Sequence, residues 1–417
     1  MTTEVFRVNG ITVANIHNDS EIVLFGIAAL SGSNYERPDI AGISHFAEHL
    51  FFKGTQKRNW KQINEEFAKL GVNNNAYTSN TEVFYHTTCP KENIANVIDL
   101  MTDMFFNSTY LEEEIEKERS VIIEEKKMYD DDPKSAFLNM LGENFFTWHL
   151  GHETIGTFDT IKNIKKDNIV SYLRAKLSPS NFIFICSGNV DSNDLRRYLE
   201  NSMPSSHNYF VEKGGINVLE KGCWLDIVNS NDKIKFIVER ENITQSIVYM
   251  MMDGIPYTDP KHHAASIICE ALGGGMYSKL FSRIREELGL CYSVGMYGIP
   301  MSYPDKKIMN VYGYTSPENV DKFIDEAEKV IDDIVKNGLD QNIFQCAKTD
   351  YISSILRATE TSAGKAHFMV NKLLVEKGGN LEDTIAEMRA VTIKDCNELI
   401  PVMMKNKHNW AVMNPKK

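Results

Sequence analysis

The sequence predicts an α+β protein of two domains, and three observations support that prediction. The chain has 417 residues, more than one compact core usually contains. Short β-branched and aromatic segments alternate with longer segments of helical periodicity in both halves. A segment rich in Ser, Gly and Asn, over residues 205–232, separates the halves. We therefore expect a first domain over 1–210, a linker over 211–232 and a second domain over 233–417.

The first half begins with strands and continues mainly with helices. A turn at Asn9-Gly10 divides the first strand-like segment, and Asp130–Pro133 interrupts two helical segments. Ile63, Phe67 and Leu70 share one face of a predicted helix. The predicted strands are 5–16, 22–30, 83–88 and 182–186. The predicted helices are 60–70, 93–106, 111–128, 134–146, 167–177 and 194–203, in addition to the helix of the motif described below.

The second half repeats this order of elements without repeating the residues. The predicted strands are 246–252, 292–297 and 307–314. The predicted helices are 264–272, 279–287 and three that begin near 317, 341 and 363. A triple glycine, 273–275, is not followed by the Lys-Ser/Thr of a phosphate-binding loop, so we interpret it as a turn at the start of a helix.

A five-residue motif, His45-Phe46-Ala47-Glu48-His49, carries the strongest chemical signal. Histidines four apart lie on one face of a helix, so their imidazoles can bind one metal ion. Glu48 lies at the edge of that face, where its carboxylate can take a proton from a water without being a ligand. The order H-x-x-E-H is the signature of inverted zinc metallopeptidases. Two solvated histidines on a surface helix are the alternative, but apolar neighbours indicate a helix that packs in a core.

A third ligand is expected, because catalytic zinc sites usually combine three protein ligands with one open position. The acidic helix 111–128 is the best source. Glu118 and Glu125 are seven residues apart and therefore share a face. We predict Glu125 as the ligand and Glu118 as an acceptor that orients another ligand. On spacing alone, Glu124 is an alternative to Glu125 as the third ligand. A solvated acidic helix face that binds no metal is also an alternative.

Composition excludes some partners and suggests a compartment. A net charge of −12 argues against general nucleic-acid binding, which needs a basic face. No segment reaches the ~18 consecutive apolar residues of a membrane span, and the N-terminus lacks the features of a signal peptide. The seven cysteines include no C-x-x-C pair, which favours free thiols in a reducing compartment. We expect a cytoplasmic protein without membrane or nucleic-acid partners.

With these residues in view, the chain resembles the pitrilysin/insulinase family, most closely the short branch that includes mitochondrial processing peptidase and its bacterial relatives. Residues 42–55 are similar to the zinc-binding segment of that family. The family's third ligand closes an E-R-x-V-x-x-x-E segment, which here runs from Glu118 to Glu125, so the resemblance favours Glu125 over Glu124. It implies a processing-peptidase-like metallohydrolase fold. That fold has two homologous α/β domains, each a mostly antiparallel sheet packed with helices.

The resemblance also suggests substrate-binding residues. Asn75-Ala76 matches a family strand whose edge binds substrate as an added β-strand. Arg285 and Tyr292 match a pair, seven residues apart, that reaches from the second domain to hold the substrate backbone and stabilise the reacting carbonyl. The loop 150–157 carries His152-Glu153 where the family usually has Arg-Pro, which we interpret as tolerated variation.

The function implied is that of a zinc-dependent endopeptidase, with one Zn²⁺ per chain, that cleaves peptides or unfolded protein segments in a closed chamber. Glu48 would act as the general base. Family members of this length pair with a second chain, so we expect a homodimer or a heterodimer with a related subunit. A non-catalytic subunit of the same fold and a zinc-binding interaction module are the alternatives. Nothing in the sequence supports a non-peptide substrate.

Overall fold

A computed structural model describes residues 2–176, 178–204, 233–299, 307–375, 378–404 and 409–416. The chain divides into two compact units, each built around one β-sheet packed with helices, so the α+β class is confirmed. Unit 1 comprises Met1–Asp130, Trp148–Lys221 and Ala358–Asn380. Unit 2 comprises Asp131–Thr147, Gly222–Arg357 and Leu381–Lys417. The predicted linker 211–232 lies outside the described residues.

Both sheets have the same topology. The strands of unit 1 are β1 (Thr2–Val8), β2 (Ile11–His17), β3 (Ile22–Ala29), β4 (Asn73–Thr78), β5 (Val83–Pro90) and β6 (Phe182–Gly188). Those of unit 2 are β7 (Ile234–Arg240), β8 (Ser246–Asp253), β9 (Cys291–Ile299), β10 (Ile308–Thr315) and β11 (Asn409–Pro415). The orders are β1-β2-β6-β3-β5-β4 and β7-β11-β8-β10-β9. Apart from β1, each strand of unit 1 has a counterpart in unit 2. Each sheet has one parallel pair among these strands, β2–β6 in unit 1 and β7–β11 in unit 2.

The helices largely follow the predicted order. They are α1 (Ile43–Leu50), α2 (Trp60–Lys69), α3 (Ile94–Asn107), α4 (Glu112–Asp131), α5 (Pro133–Phe145), α6 (Trp148–Gly151), α7 (Phe158–Asn163), α8 (Lys166–Lys176), α9 (Ser192–Ser202), α10 (His262–Gly273), α11 (Val320–Asn337), α12 (Gln341–Ala358), α13 (Ser362–Val370), α14 (Leu381–Ala390) and α15 (Ile393–Met403). Most of the helix predicted over 279–287 is a π-helix, Phe281–Glu287. Within the described residues, no helix combines the length and the apolar character needed to cross a bilayer.

The two compact units differ from the predicted contiguous domains 1–210 and 233–417 in two exchanged segments. Helix α5 comes from the first half but belongs to unit 2, where Phe137 packs against Phe236 and Tyr249. Helix α13 comes from the second half but belongs to unit 1, where Met369 and Val370 join a buried cluster on the sheet. Each helix buries its apolar face on the sheet of the other half, and chain order does not reveal such an exchange.

The sheet of unit 1 separates two cores. On one face, Phe25, Phe184 and Tyr85 belong to a cluster that also contains residues of α3 and α9. On the other face, Leu24 and Phe84 pack in the cluster that contains α13. A third cluster joins α1 to α4 and α8 through buried apolar side chains: Ile43, Phe46, Leu50, Ile115, Ile122 and Tyr172. This third cluster places the motif helix beside the acidic helix.

Candidate metal centre

The motif helix α1 begins at a crowded turn. Gly42 has φ +90°, and a Cβ there would lie 2.3 Å from the carbonyl oxygen of Ile155, so this position requires glycine. The Glu36 carboxylate, whose side chain is 0% exposed, accepts hydrogen bonds from Gly42 N–H (2.7 Å) and Ser44 N–H (2.8 Å). His152 Nε2 lies 3.3 Å from the same carboxylate. A buried carboxylate thus satisfies the first amide groups of the helix that carries the motif.

Replacing Glu36 with glutamine is expected to lower the free energy of unfolding of the metal-free chain by about 2 kcal/mol. The amide has one accepting oxygen for two buried N–H groups, so one donor loses its partner. Urea denaturation of the metal-free chain measures the change. Asp39→Asn is the matched control, because the Asp39 side chain is exposed and pairs with Arg37. Equal urea midpoints for Glu36→Gln and the unaltered chain would contradict this prediction.

The structure brings His45, His49 and Glu125 together. One donor atom from each lies within 4.8 Å of the others. Glu125 Oε2 lies 3.7 Å from His45 Nε2 and 3.3 Å from His49 Nε2. The two imidazole rings, one helical turn apart, have centroids separated by 4.7 Å. Two imidazole nitrogens and a carboxylate oxygen therefore point at one small volume.

The buried stripe of α4 decides which glutamate reaches the histidines. Ile115, Glu118 and Ile122 are buried on one side of this helix, and Glu125 continues the same stripe. Glu125 has a side chain only 23% exposed, whereas that of Glu124 is 72% exposed and pairs with Lys127 at 2.7 Å. The alternative ligand Glu124 therefore lies away from the histidines.

Glu118 lies where an orienting acceptor was expected. Its Oε2 is 3.1 Å from His49 Nδ1, and its side chain is only 7% exposed. The contact favours a proton on Nδ1, which leaves Nε2 directed towards Glu125. Burial opposes the charged form of His49, but hydrogen bonds with Glu118 and Glu125 outweigh it and raise the pKa of His49 to about 9. Burial, helped by the charge of His49, lowers the pKa of His45 to about 4.

Glu48 stands beside this group without joining it. Its Oε2 accepts a hydrogen bond of 2.5 Å from Thr78 Oγ1, at the end of β4. Burial raises the pKa of Glu48 above its ordinary value, while the Thr78 hydrogen bond opposes the shift. A carboxylate with a raised pKa that lies beside the converging ligands is suited to accept and return a proton.

The three converging residues fit zinc. Zinc bound by nitrogen and oxygen at about 2.0–2.1 Å in a tetrahedron separates its ligand atoms by about 3.4 Å. The observed 3.3 and 3.7 Å bracket that value. Two imidazole nitrogens, once His49 has released its second proton, and one carboxylate oxygen also match the three protein ligands of catalytic zinc sites. His45, His49 and Glu125 are therefore the residues that would hold the ion.

The predicted substrate strand lies at a sheet edge. Among the described strands, β4 pairs with β5 alone and is exposed from Asn73 to Asn75. The Asn75 side chain accepts a hydrogen bond from Ala76 N–H (2.9 Å). An amide at the outer side of an edge strand is open to pairing with another chain, and here Asn75 covers it. The strand leads to Thr78, the residue in contact with Glu48.

Arg285 and Tyr292 lie in unit 2, whereas the histidines and Glu125 lie in unit 1. The Arg285 guanidinium lies 4.9 Å from the centroid of the Tyr292 ring and 4.6 Å from that of Phe281. Tyr292 is 77% exposed and is the second residue of β9, the counterpart of β4. The two residues are therefore neighbours, and their predicted role in substrate binding stays a prediction.

The contacts of five residues around the centre were not foreseen. Glu36 and His152 lie at the start of α1, and His152 occupies a loop position that the sequence suggested was tolerant. Thr78 contacts Glu48, and the Tyr129 hydroxyl helps to lower the pKa of Glu125. Lys53 contacts Glu118. Tyr129 alone left a local signal, since it follows Glu125 by one helical turn.

The fold and the site together define an α+β chain of two similar units with an inverted zinc-peptidase motif in the first. A family model described as insulinase (peptidase family M16) matches residues 12–157, and one described as peptidase M16 inactive domain matches residues 163–351. The chain belongs to the M16, or insulinase, family of peptidases.

Two relatives are similar along most of the chain. A protein of Bacillus subtilis named an uncharacterized zinc protease is 27% identical over 410 residues, covering 98% of this chain and 97% of that protein. A protein of Streptomyces coelicolor, also named an uncharacterized zinc protease, is 28% identical over 395 residues, covering 94% of this chain and 85% of that protein. The crystal structure of a protease from Helicobacter pylori shares the fold, with a TM-score of 0.88 and 18% sequence identity. The match covers 99% of this chain and 100% of that protease chain.

Proposed function

We propose that this chain is a zinc-dependent endopeptidase. The observation that carries the proposal is the convergence of His45, His49 and Glu125 within 4.8 Å, with Glu48 beside them and outside the ligand set. Bound zinc supplies a positive charge that polarises a carbonyl and acidifies a water molecule. Glu48 takes the proton from the attacking water at a carboxylate oxygen and delivers it to the leaving amine.

The substrate in this proposal is a peptide or an unfolded protein segment. Its main chain pairs with the open edge of β4 and replaces the Asn75 side chain at Ala76 N–H, which gives affinity with loose sequence preference. Arg285 and Tyr292 hold the backbone of the substrate and stabilise the developing oxyanion. The proposal includes a second chain, identical or related, that completes the chamber.

Removing zinc is expected to abolish cleavage reversibly. The purified chain is incubated with a peptide pool, and products are identified by mass spectrometry beside a metal analysis. We expect about one zinc per chain, cleavage that a chelator stops, and recovery on adding zinc. The Glu48→Gln chain is the control for contaminating proteases.

Two results would count against parts of this proposal. Zinc bound without cleavage would favour the alternative of a non-catalytic or partner-dependent subunit, which addition of a candidate partner chain would then test. A purified chain that binds no zinc under any loading condition would contradict the metal centre itself.

A further inference from the structure

We propose that Lys53 is a positioning residue of the metal centre, which acts through Glu118 to orient His49 and thereby strengthens zinc binding. This inference rests on the proposed function only in requiring that the chain bind zinc. It concerns a residue outside the H-x-x-E-H motif and outside the E-R-x-V-x-x-x-E segment.

The contacts form an unbranched chain from Lys53 to a ligand. Lys53 Nζ lies 2.6 Å from Glu118 Oε1, while the other carboxylate oxygen, Oε2, lies 3.1 Å from His49 Nδ1. The backbone N–H of Lys53 donates to Leu50 O (3.1 Å), so the lysine is anchored just after α1. Each oxygen of Glu118 therefore has one charged or polar donor. Rotation of the carboxylate would break both contacts, so Lys53 fixes the plane that Glu118 presents to His49.

The charges at the centre give a second reason to assign a positioning role to Lys53. Three carboxylates, Glu48, Glu118 and Glu125, lie at a partly buried site. A divalent cation would leave one negative charge uncompensated there. Among the ion pairs of the described residues, Lys53 is the lysine or arginine that contacts this group, and its charge brings the sum to zero. Unpaired buried charge is costly, so the loss of Lys53 would destabilise the orientation of Glu118.

Coulomb repulsion alone predicts the opposite change in zinc affinity when Lys53 is removed. A lysine near a divalent cation repels it, so removing the lysine would strengthen zinc binding if charge alone mattered. Positioning predicts weaker binding, because outer-shell partners of zinc-binding histidines typically contribute about 10–100-fold to metal affinity. The direction of the change therefore separates the two effects.

The test is zinc affinity of the full chain, measured by competition with a chromophoric chelator. Lys53→Met keeps the apolar stem and removes the amine, and we expect zinc to bind about tenfold more weakly. Lys53→Arg restores a charged donor and should recover most of the affinity. Lys57→Met is the matched control, since Lys57 is an exposed lysine nearby, for which the structure records no contact with the centre. The melting temperature of each metal-free chain shows whether the change is confined to metal binding.

A double-mutant cycle keeps the inference testable if Lys53→Met also lowers stability. Adding Lys53→Met to a Glu118→Gln chain should leave zinc affinity nearly unchanged if Lys53 acts through Glu118. The inference would be overturned if Lys53→Met bound zinc as tightly as the unaltered chain or more tightly. It would also be overturned if Lys57→Met lost as much zinc affinity as Lys53→Met, or if the losses from Lys53→Met and Glu118→Gln were fully additive. None of these results would affect the proposed peptidase activity, which fails only if the unaltered chain binds no zinc or cleaves no peptide.

Discussion

Replacing Glu48 with glutamine is expected to abolish peptide cleavage while zinc binding persists. Glutamine has the same length, and its carbonyl oxygen can still accept the Thr78 hydrogen bond. Its amide cannot take a proton from water, so the step that depends on a general base is lost, at a cost of about 10²–10⁴ in rate. Because Glu48 is outside the ligand set, the dissociation constant for zinc should stay within a few-fold of that of the unaltered chain.

Two measurements on the same preparation check this expectation: the products formed from the peptide pool and the zinc content of the chain. Thr78→Val provides a milder comparison, because it removes the hydrogen bond and leaves the carboxylate. Full activity of Glu48→Gln at full zinc content would remove Glu48 from the mechanism. Loss of zinc together with activity would instead place Glu48 among the ligands.

Two adjacent glutamates on α4 should differ sharply in their importance for zinc. Glu125→Gln is expected to weaken zinc binding by more than the ~10–100-fold that an outer-shell partner contributes, because a neutral amide replaces a charged ligand. Glu124→Gln should leave zinc affinity unchanged, since Glu124 points away from the histidines and pairs with Lys127. The two variants make the same chemical change one residue apart, so each controls for the other.

Chelator competition gives both dissociation constants, and cleavage of the peptide pool gives the matching activities. Equal losses in the two variants would indicate an effect of helix charge rather than ligation. A larger loss in Glu124→Gln would assign the ligand to the residue that the spacing alone had left open.

Local periodicity made much of the centre predictable. His45 and His49 are one turn apart in the chain and remain one turn apart in the fold, because a helix preserves that relation. Glu118 and Glu125 share a face of α4 for the same reason. The choice of Glu125 over Glu124 came from the family resemblance. The structure gives the physical reason, since Ile115 and Ile122 bury the face that carries Glu125.

Apart from Tyr129, the residues that the sequence did not predict act across long separations. Glu36 is joined to His152 over 116 positions, and Glu48 to Thr78 over 30. Lys53 and Glu118 meet because the same cluster packs α1 against α4. A side chain that meets its partner only after packing leaves no periodic pattern in the chain.

The sequence by itself determined the α+β class, the order of most elements, the H-x-x-E-H motif and the acidic helix, because these depend on residues close together along the chain. The tertiary structure decided which glutamate faces the histidines, what begins the motif helix and which residues support the ligands. It also decided that α5 and α13 are exchanged between the units. Those outcomes depend on which apolar faces bury one another, and burial is a property of the folded chain as a whole.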